Sequence, residues 1–336
     1  MRVIPITAAS AALWMESSVA LWPSCTVANS RTTHSTMSVC SGGLSTTFAE
    51  RFGFSAVEAA RIEPKLPTWI RAKQRIDQVD ATSTALQHRL TLSQSELRRV
   101  VSLLPTVLGL SYEFNLEPSL ASLQQRLLLS EEELKKVVLS RPSLLGMSFD
   151  ANLGPSIDAL QQRLTLSPAE LKRVVLRLPA VLCLSYPTNI HPSLAALQHR
   201  LMLSEPELRH LVLRWPSVLS LNYDSNIEPS LSSLQSRLNL SEGELKRIVL
   251  RLPTVLGYNY AGNLEPKLDF LQVELALSVD TLREKVLTRP AALGYSLERR
   301  YRPRLERCRE AGKPLRLVVD RADLSDVKFD AVLARP

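Results

Sequence analysis

Glycine is scarce, with eleven residues in a chain of 336. Glycine-rich loops that cradle phosphates therefore have little material, and no P-loop or dinucleotide fingerprint occurs. The four cysteines, Cys25, Cys40, Cys183 and Cys308, show no CxxC spacing. That excludes a zinc-ribbon pattern and argues for reduced thiols over a disulfide frame; Cys183 is read as a core position. The five histidines have no ligand spacing, and no Ser/His/Asp set stands out. No apolar run reaches about 18 residues, so no membrane span is expected. These absences leave no basis for an enzyme, a metal or a cofactor.

What the chain has is a period. Proline recurs every 37 residues as Pro105, Pro142, Pro179, Pro216, Pro253 and Pro290. A second series, Pro118 to Pro303, and a serine series, Ser93 to Ser278, keep the same step of 37. Three registers locked to one period mean tandem copies of one unit. A unit this short cannot bury its own apolar face, and stacking on its neighbours builds the core. The expected fold is an all-α solenoid of helix–turn–helix units.

One unit can be read from Ser167. Ser167 with Glu170 is a capping box, and Pro168 suits the first helical position. Leu171, Val174, Val175 and Leu178 fall on one helical face. Pro179 should end that helix, because proline disfavours helical geometry in the residue before it. The short apolar stretch 180–186 predicts one tight turn. Asn189 is then read as an N-cap ahead of a second helix carrying Ile190, Leu194, Leu197 and Leu201. The aromatic column Tyr112, Phe149, Tyr186, Tyr223 and Tyr260 is read as packing between repeats.

The ends differ. At Ser278 the capping box fails, because Thr281 stands where glutamate is due. Residues 1–49 lie outside the register, with one acid, Glu16, and fourteen Ser or Thr between Ser17 and Thr47. That make-up resembles an organelle transit segment, for plastid or mitochondrion. The expected division is 1–49 transit segment, 50–85 helical lead-in, 86–311 repeat array and 312–336 C-terminal extension.

Net charge is +8 and the pI about 9.5, which points to an anionic partner. Residues 167–203 carry four cations against one acid, and residues 278–314 carry ten against five. Lys172, Arg173, Arg177, Arg214, Lys246, Arg247 and Arg251 share a stripe away from the apolar face. They suit a row of phosphate contacts, or else a solvated face paired with the capping-box glutamates. Arg126, Arg163, Arg200 and Arg237 end the second helices, where helix-terminus electrostatics explains them. Arg299, Arg300, Arg302 and Arg304 are read as nucleic-acid contacts, because the five excess charges there lack acidic partners.

At these residues the chain resembles the mitochondrial transcription termination factor (mTERF) family. The resemblance rests on Arg-Leu-Pro-x-Val-Leu at 177–182 and 251–256, on Asn-Leu-Glu-Pro-x-Leu from Asn115 and Asn263, and on the closing Ser296–Arg304 element. It implies a superhelix of two α-helices and a 3₁₀ turn per repeat. It further implies duplex DNA or structured RNA bound on a basic surface in an organelle, in transcription termination or regulation, or RNA processing. Other organellar gene-expression proteins are further candidate partners, and a monomer is expected. Two other solenoids fit the period. A HEAT-like protein-interaction scaffold would explain near-neutral repeats, whereas a one-repeat-per-base RNA reader would need more variable repeats.

Overall fold

Each repeat begins at a serine whose side chain takes over a free helix-end N–H. In the computed structural model, which describes residues 44–73 and 75–335, the capping box forms at Ser93/Glu96, Ser130/Glu133, Ser167/Glu170, Ser204/Glu207 and Ser241/Glu244. Ser278 caps through its hydroxyl alone, accepting from the Thr281 N–H. The capped helices run Gln94–Leu103, Glu131–Ser140, Pro168–Arg177, Glu205–Arg214, Glu242–Arg251 and Val279–Thr288. Each ends two residues before its proline. At Leu178, for example, the backbone has left helical geometry (φ −137°, ψ 74°).

The proline opens a 3₁₀ turn such as Pro179–Cys183. A wide five-residue π turn follows, as at Tyr186–Ile190, and leads into the second helix, here His191–Arg200. Here the structure corrects the sequence. Asn189 does not cap that helix. Its carboxamide oxygen accepts the Ser185 N–H at 3.2 Å, reaching back over the π turn. Asn115, Asn152 and Asn226 do the same for Ser111, Ser148 and Asn222. The side chain of the residue before the turn, Ser111, Ser148 or Asn222, closes the motif in three of these copies by accepting the N–H three residues on. The asparagine thus staples the wide turn, and the second helix grows out of it with no side-chain cap.

Stacked apolar faces make one continuous core. Leu171, Val174, Val175, Leu194 and Leu197 are buried, as are their equivalents in neighbouring units. No strand occurs among the described residues. The aromatic column packs half-buried against this core. Cys183 is not a core residue: it occupies the slot of Gly109, Gly146 and Gly257 and is half-exposed. Small residues hold that slot because neighbouring units approach it closely. A Cβ on Gly257 would come within 2.8 Å of the Trp215 ring.

The folded unit reaches further upstream than expected. Helix Leu44–Phe52 crosses the expected boundary at 49/50 and buries Leu44, Phe48 and Phe52. These rings meet each other and Phe54 at 5.7–6.1 Å between centroids. A further capping box at Ser55/Glu58 starts an early unit that the period did not reveal. It lies 38 residues before Ser93, one off the common step. The rest of the transit-segment assignment, residues 1–43, lies outside the described residues.

One register is strained. Thr91, Leu128, Thr165, Met202, Asn239 and Ala276 sit 37 apart and all adopt left-handed backbone, φ 47–54°. Only Asn239 is a residue that tolerates it well. Leu128 and Met202 are 67% and 79% exposed, so their side chains contribute little packing. Leu128→Asn and Met202→Asn should each stabilise the array by up to about 1 kcal/mol. A lower melting temperature in the double variant would refute this.

Candidate nucleic-acid interface

The repeats spend much of their charge on one another. Each capping glutamate not only closes its own helix but also binds a cation one unit on. Arg98 pairs with Glu58, Lys135 with Glu96, Lys172 with Glu133, Arg209 with Glu170, Lys246 with Glu207 and Arg283 with Glu244, all at 2.7–2.8 Å. Lysine and arginine do this differently. Lys135, Lys172 and Lys246 split their donors between the carboxylate and the carbonyl of the left-handed residue, at Thr91, Leu128 and Met202. Arg98, Arg209 and Arg283 instead reach both carboxylate oxygens with a single Nη2. Lys172 and Lys246 are therefore committed to the scaffold.

These contacts hold the glutamates ionised. Glu244 is pulled down to about 2 by the Arg283 hydrogen bond and the Ser241 N–H. Glu58 reaches about 2 through the Ser55 backbone and hydroxyl and then Arg98. Glu96, Glu133, Glu170 and Glu207 are lowered as well. A carboxylate depressed in the folded state stabilises fully above its unfolded value and loses that contribution as pH falls. The melting temperature should hold above about pH 4.5 and decline steadily toward pH 2. A flat profile down to pH 2 would show that the ladder contributes nothing.

The column ending the second helices is likewise internal. Arg89 bonds Glu117, Gln124 and Glu131, and Arg200 repeats this with Glu228, Gln235 and Glu242. Arg126 and Arg237 bond Asp158 and Asp269, and Arg163 pairs with Glu205. Helix-end electrostatics is thus only part of their role, since each ties its helix to the next units.

The closing cluster needs the largest correction. Arg304 is fully buried and cannot face a nucleic acid. It donates to the Arg321 and Leu324 carbonyls at 3.0 and 2.6 Å, pairs with Asp326 at 2.8 Å, and lies 4.5 Å over the Phe329 ring. Arg307 joins Asp326 and Asp330, and Arg309 joins Glu274. Arg300 donates to the Ala322 carbonyl and stacks on Tyr295. Arg302 pairs with Glu298 and lies over Phe270. The acidic partners missing from the local sequence come from the C-terminal segment and from neighbouring helices. The cluster's main task is to seat helices Leu317–Asp320 and Asp326–Leu333 as an end cap. Of the four closing arginines, only Arg299 is exposed without a side-chain partner among the described residues.

The period itself carried this signal. Arg304 stands in the register of Thr82, Ser119, Ser156, Ser193, Ser230 and Lys267. That register meets the next unit's turn. Thr82 donates to the Leu110 carbonyl at 3.0 Å, and Ser193 accepts from the Tyr223 N–H at 3.3 Å. Buried Lys267 donates to the Leu293 carbonyl at 2.6 Å. Burial depresses its ammonium to about 8.

Among the described residues, one column of free cations follows the repeat period. Arg99, Lys136, Arg173, His210 and Arg247 recur at a single outward position of successive capped helices. All are exposed, and none has a bonded partner among the described residues. One turn later stand Arg177, Arg214 and Arg251, also exposed. Arg177 and Arg251 donate to the Leu213 and Leu287 carbonyls at 3.2 and 3.1 Å, which fixes their outer faces in place. Arg99 and Lys136 were not singled out as site residues from sequence, although they share Arg173's register. No group of residues with metal-ligand character occurs among the described residues, and no described helix is long and apolar enough to cross a membrane.

The class is thus an all-α tandem-repeat solenoid of capped helix, 3₁₀ turn, π turn and second helix, with a free cationic column along its capped helices. Residues 44–167 and 159–325 both match the mTERF family model. The chain belongs to the mTERF family. That family comprises, in general, organellar nucleic-acid-binding regulators. No curated protein matches the sequence.

Proposed function

We propose that this protein binds double-stranded DNA or structured RNA in an organelle and regulates gene expression there, in transcription termination or regulation, or RNA processing. The observation that carries this is the column Arg99, Lys136, Arg173 and Arg247, whose charges are neither paired nor buried. A cation without an internal role at one fixed position per repeat suits a polyanion with its own regular charge spacing. Arg177, Arg214 and Arg251 broaden the row, and Arg299 extends it at the C-terminal end. Units spaced at roughly 9–10 Å would carry this row over about 50–60 Å. That length spans on the order of 15 base pairs.

Salt dependence tests it. The wild type should show a slope of log K against log salt near −4 or steeper. Changing Arg99, Lys136, Arg173 and Arg247 together to Gln should flatten it by about 3–4, with an unchanged circular dichroism spectrum. Binding to neither duplex DNA nor RNA at low salt would leave the protein-interaction scaffold as the better account.

A further inference from the structure

At the C-terminal end of the row, three arginines from three successive units line one cavity of about 390 Å³. They are Arg214, Arg251 and Arg289, with Tyr295, Ala292 and Asp323 among the other walls. The geometry points to a site for a phosphomonoester dianion, either the terminal phosphate of a nucleic-acid strand or a free nucleotide.

Charge is the first argument. Three guanidinium groups face one carboxylate, that of Asp323, which lies 3.4 Å from Arg289. The nearby Asp320 carboxylate is taken by Lys285, and only its backbone carbonyl reaches Arg289. Two positive charges stay uncompensated, which matches a dianion. A bridging phosphodiester, with a single charge, would satisfy only half of it.

Preorganisation is the second. Arg251 is held by the Leu287 carbonyl and Arg289 by the end cap, so both are oriented before any ligand arrives. Arg214 breaks its own column's habit. Arg177 and Arg251 dock on carbonyls of the next unit, whereas Arg214 makes no such bond and lines the cavity instead. A guanidinium left free beside two fixed ones can close on a phosphate bidentately. The cavity also matches ligand size, since pockets of about 300–1,000 Å³ hold small organic molecules. Tyr295 supplies a ring wall beside the arginines, already stacked by Arg300 on one side.

The site shares Arg214 and Arg251 with the proposed row, but it does not require a duplex to lie along that row. The test uses the full chain and one duplex prepared with a 5′-phosphate or a 5′-hydroxyl, with AMP and inorganic phosphate as free ligands. We expect about a tenfold preference for the phosphorylated duplex, competed by AMP. The ratio should fall to near one in Arg214→Ala, a position exposed and unbonded in the folded chain. Arg214→Lys, which keeps a charge but not the fork, should retain part of it. AMP binding without duplex discrimination would assign the site to free nucleotides, and discrimination without AMP binding would assign it to strand ends. A ratio of one together with no AMP binding overturns the site. AMP binding to a chain that holds neither duplex DNA nor structured RNA at low salt would instead overturn the proposed function and leave this site standing.

Discussion

Replacing Leu197 with Asp should unfold more than one repeat. Leu197 is fully buried in helix His191–Arg200, and Val212 is equally buried in the next capped helix. A carboxylate there has no partner within the apolar stack. An uncompensated buried charge removes several kcal/mol, on the order of half of a domain's stability. Damage should spread, because each unit's core is completed by its neighbours. Loss of helicity should therefore exceed one unit's worth by circular dichroism. Val212→Asp should behave alike. Full helicity with an unchanged melting point in either variant would refute the helix register.

Arg304→Ala should release the end cap while leaving the array folded. The change deletes the donors that satisfy the Arg321 and Leu324 carbonyls and leaves a void beside Phe329. Unmet buried acceptors and a lost large side chain together cost about 3 kcal/mol locally. The cap holds few other buried residues, among them Val318, Val319, Phe329 and Leu333, so that loss should exceed its docking energy. Limited proteolysis should cut between residues 312 and 333 in this variant, with most helicity kept. Arg299→Ala, at an exposed neighbour, should be cut no faster than wild type. Resistance of the Arg304 variant equal to wild type would mean that the cap is held by something else.

Much of the fold was legible because proline, serine and leucine constrain local geometry. Ser93 to Ser241 with their glutamates, and the prolines that follow, fix where each capped helix starts and stops. The π turn was not legible. An asparagine before a helix has the same sequence signature whether it caps forward or reaches back, and only the Ser185–Asn189 bond separates the two. The site was legible in part. Periodicity placed Arg173, Arg247 and Lys172 on polar positions, but one turn of helix carries both free and committed cations. Lys172 faces the previous unit's glutamate and Arg173, one residue on, faces away. Their difference depends on where the neighbouring unit sits. The closing cluster misled because partners 19–23 residues away are invisible to local charge counting. Its register with Lys267 and Ser230 was the better guide.

The bonds between units share a property that matters beyond stability. Arg200 reaches partners 28, 35 and 42 residues ahead, and Lys172 reaches back 39 and 44. Each link joins a unit to positions found in every internal copy, not to a singular residue. Duplicating or deleting one 37-residue block inside the array would still bring a carboxylate and a glutamine of the following unit to each arginine of Arg200's register, at offsets that differ between copies. Gene-level copying can thus lengthen or shorten this protein in whole steps without inventing a new contact. Each step would move the early unit and the end cap apart or together by roughly 10 Å. The scaffold behaves as a ruler whose divisions are interchangeable, and the length of its target is open to selection independently of its folding.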